Sequence, residues 1–174
     1  MVYLIIKGEK VNIGILVFSS TGYTLKFAEA IAAGLEKSGH DIELTRIETD
    51  IEANEGPPSA ESEYNITNLP DCSKYDIVFI GGPVWAFSAC HVVLKAIEQL
   101  KGVEDKIVFP FLTMAFPFRF MGGNRAIRMI KKRIAENNGK PENGYIVCRM
   151  AHDFDKSVNK QVKRILSDIH SDFQ

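Results

Sequence analysis

Ile13-Gly14-Ile15-Leu16-Val17-Phe18-Ser19-Ser20-Thr21-Gly22-Tyr23-Thr24 opens on an unbroken apolar run and closes on small hydroxyl residues gathered around one glycine. A run without polar alternation predicts a strand buried on both faces, here over Ile13–Phe18. Immediately downstream, Leu25, Ala28, Ile31 and Leu35 recur at helical spacing, and Gly39 stops the helix. The residues between therefore join the end of a buried strand to a helix N-terminus. Backbone N–H groups there lack intrahelical partners, and the helix dipole favours an anion. Ser19, Ser20, Thr21 and Thr24 add four hydroxyls, and Gly22, beside Tyr23, lets a ligand approach the backbone. The segment reads as a phosphate site. The competing reading is a plain helix cap, which needs one hydroxyl rather than four. The segment carries neither the GxxxxGK[ST] pattern of a nucleoside-triphosphate loop nor the GxGxxG pattern of a dinucleotide loop.

Working outward, Ile42 and Leu44 alternate with polar neighbours and predict a strand with one wetter face. Ile77–Ile80 predicts a second buried strand, ended by Gly81-Gly82-Pro83, and Ile107–Leu112 a third. Tyr145–Cys148 predicts the last strand. Helical stripes run through Val92, Val93, Ala96, Ile97 and Leu100, through Ile127, Ile130 and Ile134, and through Val158, Val162, Ile165 and Ile169. Strands that alternate with helices in this way predict an α/β domain with a parallel sheet and helices on both faces, three layers in all. No boundary or repeat divides the chain, so residues 1–174 read as a single domain, with 1–11 as an N-terminal extension before the first core strand. The Glu48–Tyr75 connection is long for such a domain and is expected to hide a short helix, with a turn at Pro57-Pro58. Pro110 lacks the donor that a central strand needs, so a bulge or local break is expected there.

The net charge of −1 argues against nucleic acid or an anionic membrane as partner. Charge is uneven along the chain: seven acidic residues and no Lys or Arg lie between Glu48 and Ser73, whereas Arg119 to Arg164 holds twelve basic and four acidic residues. These read first as a solvated acidic loop and basic helix faces. Cys72, Cys90 and Cys148 are widely spaced and form no CxxC, which removes a zinc knuckle or compact iron–sulfur motif. Their sparse, odd number suits a reducing compartment, and no apolar segment approaches a signal core or a membrane span, so a cytoplasmic protein is expected. His91, and His152 with Asp153, follow strands but read first as surface or helix-end residues. No nucleophile–base arrangement is visible, and no catalytic side chain or metal ligand is assigned.

The [ST]-x-T-G-x-T pattern formed by Ser19, Thr21, Gly22 and Thr24 resembles the phosphate loop of flavodoxins and flavodoxin-like FMN proteins. The segment Gly81-Gly82-Pro83-Val84-Trp85 resembles that family's G-x-P-V-W loop. The likeness extends through the strand and helix order from about Asn12 to Ile169. It implies a five-stranded parallel sheet of order 2-1-3-4-5 and FMN as cofactor, bound at the carboxyl ends of strands one and three. It places Pro83, Val84, Trp85, Ala86 and Phe87 beside the flavin, with Trp85 stacking on the ring; the alternative for Trp85 is core packing. The third contacting loop would hold Thr113, Met114, Ala115 and Phe116, although this loop is more aromatic than the usual flavodoxin version. Phe118, Phe120 and Met121 form an apolar patch next to it, expected to meet a second chain in a two-fold dimer.

Three functions compete. An FMN-binding redox protein would pass electrons to a partner protein or a small-molecule acceptor. An NAD(P)H-dependent FMN oxidoreductase would act on quinones or similar acceptors; the near-neutral charge and the basic final third favour this over an acidic carrier. A flavin-free binding module of the same fold is disfavoured by the intact hydroxyl loop and Trp85.

Overall fold

The computed structural model describes residues 10–51, 63–150 and 153–171. The first strand, β1, runs over Asn12–Val17 and is buried from Ile13 onward. Helix α1 (Tyr23–Lys37) follows and buries Phe27, Ala28, Ile31 and Leu35 against the sheet. Fully burying Phe27, Ile31 or Leu35 contributes about 1.5–3 kcal/mol each. The helix ends in a Schellman motif. The Gly39 N–H donates to the Glu36 carbonyl and the His40 N–H to that of Leu35, with Gly39 at φ 95°. Strand β2 (Asp41–Arg46) shows the alternating burial expected of an edge.

The remaining elements are β3 (Ile77–Trp85), β4 (Ser88–Ala89), α2 (His91–Gln99), β5 (Ile107–Met114), α3 (Gly123–Glu136), β6 (Lys140–Pro141), β7 (Tyr145–Cys148) and α4 (Phe154–Ser171). The long parallel strands lie in the order β2-β1-β3-β5, with β6 and β7 both paired to β5 at the far edge. This is the expected 2-1-3-4-5 order, but the described residues form seven strands rather than five. One extra strand is β4, a short antiparallel return that pairs Val84 with Ala89 and Trp85 with Ser88. The other arises because the fifth expected strand is split into β6 and β7.

Pro110 explains the split. Val108 pairs with Pro141 and Phe111 with Tyr145, so the edge strand carries one residue more than β5 over the same step. The Glu142 N–H donates to the Val108 carbonyl at 2.9 Å. The next bond of that ladder would need an N–H at position 110, which proline lacks. The pairing of β5 with β3 runs unbroken from Ile77 to Pro83, because the missing donor faces only the edge strand. The expected break at Pro110 is thus present, and it falls on the neighbour.

Two apolar clusters sit on opposite faces of the sheet. Ile13, Ile15, Phe79, Phe109, Phe111 and Tyr145 pack under α1 and α4. Leu16, Val78, Ile80, Val108 and Leu112 pack under α2 and α3. The alternation along each strand sends successive side chains into different layers. Helices α1 and α4 approach closely at Gly34, where a Cβ would come within 2.7 Å of Val162 Cγ1.

Three expectations need adjusting or fall outside the described residues. Val11, assigned to the N-terminal extension, is buried in the core, and its carbonyl accepts the Asp41 N–H at 3.0 Å; residues 1–9 lie outside the description. Of the Glu48–Tyr75 connection, where a short helix was expected, residues 52–62 lie outside the description; its described residues hold one 3₁₀ turn, Cys72–Lys74, capped by the Asp71 carboxylate. The Pro57-Pro58 turn lies outside the described residues. Among the described residues, no helix is long and apolar enough to cross a membrane.

Candidate functional site

The carboxyl ends of β1, β3 and β5 bring three loops together, and a side-chain contact links each pair of loops. Thr24 of the first loop and Thr113 of the third share a buried hydrogen bond, Oγ1 to Oγ1, at 2.7 Å. Phe18, the residue before Ser19, meets Trp85 of the second loop edge-on, with ring centroids 5.7 Å apart. Phe87 of the second loop stacks on Phe116 of the third at 5.9 Å and 13°.

In the first loop, Gly22 adopts a left-handed conformation, φ 85°, and forms the N-cap of α1. Its own N–H donates to Ser19 Oγ at 3.1 Å. The first bond of the helix runs from the Lys26 N–H to the Gly22 carbonyl, which leaves the N–H groups of Tyr23, Thr24 and Leu25 without intrahelical acceptors. Ser20 and Thr21 are exposed, whereas Ser19 and Thr24 are buried. The four hydroxyls therefore divide the work. Ser19 and Thr24 shape and anchor the loop, and Ser20 and Thr21 are left exposed just ahead of the helix N-terminus. The Tyr23 ring turns aside, held between Arg149 at 4.8 Å and Phe154 at 5.2 Å.

The second loop is a hairpin whose two turn residues, Ala86 and Phe87, both have positive φ, 44° and 61°. That is the backbone of a primed two-residue turn, which glycine and asparagine ordinarily occupy. Holding two other side chains there costs about 1–3 kcal/mol each and persists only where the surroundings enforce it. Part of that enforcement is Gly122, the left-handed N-cap of α3, where a Cβ would lie 2.5 Å from Phe87 Cα. Only a glycine lets α3 begin this close to the hairpin. Phe87 is half exposed, while Trp85, Val84 and Pro83 are half-buried, Trp85 lying against the core through Phe18.

In the third loop, Thr113 and Met114 are buried, and Met114 packs beneath Gly123 of α3. Ala115 is half-buried and Phe116 exposed, so only the end of this loop presents side chains to the convergence. The Cys148 thiol donates to the Phe116 carbonyl and ties the loop to β7. Phe118 and Phe120 stack on each other at 5.4 Å and stand exposed, 55% and 77%.

The first loop itself holds no cation, but tertiary structure supplies one. Arg46, the last residue of β2, donates from Nη2 to the Ser19 carbonyl at 3.3 Å. Its register partner is Val17 at the end of β1. The signal was available in the 2-1-3 order, which sets the end of strand two beside the loop after strand one. Of the histidines considered earlier, His91 begins α2, and His152 lies outside the described residues. Asp153 caps α4 through its carboxylate, which accepts the Lys156 N–H at 2.9 Å. Burial pushes the Cys72 thiol up to about 11 and the Cys90 thiol to about 12, so neither is a thiolate at neutral pH.

A doubly wound sheet of order 2-1-3-4-5 with a hydroxyl loop after its first strand settles the architecture. The chain has the flavodoxin-like fold. Solved structures that share it include a flavoprotein in complex with FMN from Lactobacillus acidophilus NCFM, 20% identical over 87% of this chain and 98% of that one, TM-score 0.61. The flavodoxin of Streptococcus pneumonia TIGR4 is 11% identical over 92% of this chain and 99% of that one, TM-score 0.60. A flavodoxin from the domain Archaea is 15% identical over 92% and 98%, TM-score 0.55. No family model and no curated protein matches the sequence. Within this flavodoxin-like fold, the three loops occupy the crevice at the topological switch point between β1 and β3.

Proposed function

We propose that the protein binds FMN in this crevice and transfers electrons through it. The observation that carries the reading is the exposed pair Ser20 and Thr21, directly before the open N–H groups of α1, on a loop that the Thr24–Thr113 and Phe18–Trp85 contacts join to the loops holding Phe87 and Phe116. That arrangement fits a ligand with one terminal phosphate and one flat ring. Ser20, Thr21, the N–H groups of Tyr23 and Thr24, and Arg46 would hold the phosphate, Arg46 adding the charge that the loop lacks. Trp85, Phe87 and Phe116 would border the ring and keep water from its faces. FMN, when bound, supplies one- and two-electron chemistry, so no side-chain nucleophile is needed. The partner is a redox protein or a small acceptor, and free cysteines at positions 72, 90 and 148 accord with a reducing cytoplasm.

One observation favours a second reading, an NAD(P)H-dependent oxidoreductase. Phe118 and Phe120 are too exposed for a single flavin edge to cover. A two-fold dimer through this loop would bury them and wall a substrate pocket beside the flavin. The test of the main reading is the absorption spectrum of the protein reconstituted with FMN, followed by heat release and chromatography of the cofactor. Flavin bands and FMN as the released species support it. No bound flavin after reconstitution, or FAD as the major species, overturns it.

A further inference from the structure

Outside the three loops, a cavity of about 290 Å³ opens at the free edge of the sheet, between α3 and β7. Arg119, from the loop after β5, lines it together with Arg128 and Lys131 of α3. Asn124, one turn before Arg128 on the same helix face, adds an amide. The far wall is Gly144 and Ile146 of the split edge strand. No carboxylate lines the cavity. Among the described residues, none of its three cations makes an ion pair, although their neighbours Lys132 and Arg133 are paired with Glu136 and Glu98. Loss of solvent around the Arg119 guanidinium, and then repulsion from Arg164, hold its pKa below the usual arginine value. Three cations without ion-pair partners line one concavity that holds no carboxylate, so an anion bound there would find uncompensated positive charge.

We propose that this cavity binds the phosphate group of a small molecule, at a site separate from the Ser19–Thr24 loop. Two guanidinium forks and an ammonium match the oxygens of a phosphate monoester or pyrophosphate. The volume lies near the lower end of small-molecule sites, about 300–1,000 Å³, and is too small to seat a helix or strand of another protein. Ile127 and Ile146 give an apolar wall for the body of the ligand. The cavity lies at the break in the edge strand, since Gly144 falls between Pro141 and Tyr145. The split edge strand turns at Glu142–Gly144, and Ile127 packs against Gly144, where a Cβ would come within 2.7 Å of it. Arg119 belongs to the same loop as Phe116, so a ligand anchored here lies next to the aromatic crevice.

The test is a titration of the isotope-labelled full chain, loaded with FMN at the Ser19–Thr24 loop and desalted so that no free FMN competes for the cavity, followed by NMR. The probes are pyrophosphate, inorganic phosphate and adenosine 2′,5′-bisphosphate, at an ionic strength of about 0.1 M so that distant charges are screened. Saturable shifts of the Gly144 and Ile146 amides are expected. The Arg128→Gln/Lys131→Gln variant should weaken binding about tenfold or more, and Lys132→Gln should leave it unchanged. Tighter binding of the bisphosphate than of both inorganic ions identifies a nucleotide as the source; equal binding identifies the phosphate group alone. The proposal is overturned by shifts that do not saturate, by shifts that Arg128→Gln/Lys131→Gln leaves unaltered, or by polyglutamate acting at lower concentration than pyrophosphate. The last result would assign the surface to an acidic protein. Aggregation of the double variant without any phosphate binding would also overturn it, because the cations would then be guards of an exposed strand edge. The resonances of Gly22 and Thr24 report FMN binding in the same spectra, so failure of the flavin reading and failure of this one are seen separately.

Discussion

Replacing Thr24 by valine removes the hydroxyl that joins the first loop to the third while keeping the side chain's shape. Thr24 and Thr113 are 2% and 4% exposed, so water cannot take the lost partner's place. Leaving one buried hydroxyl unpaired costs about 1–3 kcal/mol, whereas a neutral hydrogen bond contributes a net of only about 0.5–1.5 kcal/mol. Thr24→Val and Thr113→Val should therefore each destabilise by about 2 kcal/mol. The double variant should be no worse than either single change, because no orphaned hydroxyl remains. The expected coupling is at least about 2 kcal/mol, well above the scatter of independent sites. Urea unfolding reads this directly: with a slope of about 2 kcal/mol per molar, each single change lowers the midpoint by about 1 M. The same substitutions should weaken FMN and riboflavin equally, since they loosen the crevice and touch no phosphate. Additive single effects, or a Thr24→Val that loses FMN affinity and spares riboflavin, would refute the reasoning.

The exposed residues should behave in the opposite way. Thr21→Ala and Arg46→Gln are expected to weaken FMN about ten- to a hundredfold while sparing riboflavin and stability, as fluorescence titration of the apoprotein will show. Gly122→Ala places a side chain at φ 99° and against Phe87, so calorimetry should show a loss of at least about 1–2 kcal/mol; an unchanged melting temperature means that the hairpin is not held from α3. Light scattering coupled to gel filtration should give a dimer for the native chain and a monomer for Phe118→Asp; a native mass near one 19.5 kDa chain at every concentration removes the dimer and the oxidoreductase reading with it. Cys72 and Cys90, with thiols raised to about 11 and 12, stay protonated and buried at neutral pH, so a disulfide reagent should label at most Cys148 in the native protein until the pH approaches those values. Fast labelling of all three would contradict the burial.

The sequence by itself determined the layers, and its resemblance to flavodoxins implied the strand order. Unbroken apolar runs such as Ile13–Phe18 and Ile77–Ile80 can be satisfied only between two layers of helices, and the helical stripes have the spacing of amphipathic faces. It also located the phosphate loop, because hydroxyls, a glycine and a helix start are neighbours along the chain. Pro110 announced a defect, since a missing donor is a covalent fact. Where that defect acts was decided by tertiary structure, for it depends on which neighbour the absent N–H would have faced. The division of the four hydroxyls into anchors and exposed groups was equally hidden, because Thr24 finds Thr113 across 89 positions of sequence. Arg46 belongs to the crevice only once β2 lies beside β1. The cation cavity needs Arg119, Arg128 and the edge strand folded side by side. These features rest on side chains brought together from distant parts of the chain, and local periodicity carries no record of such meetings.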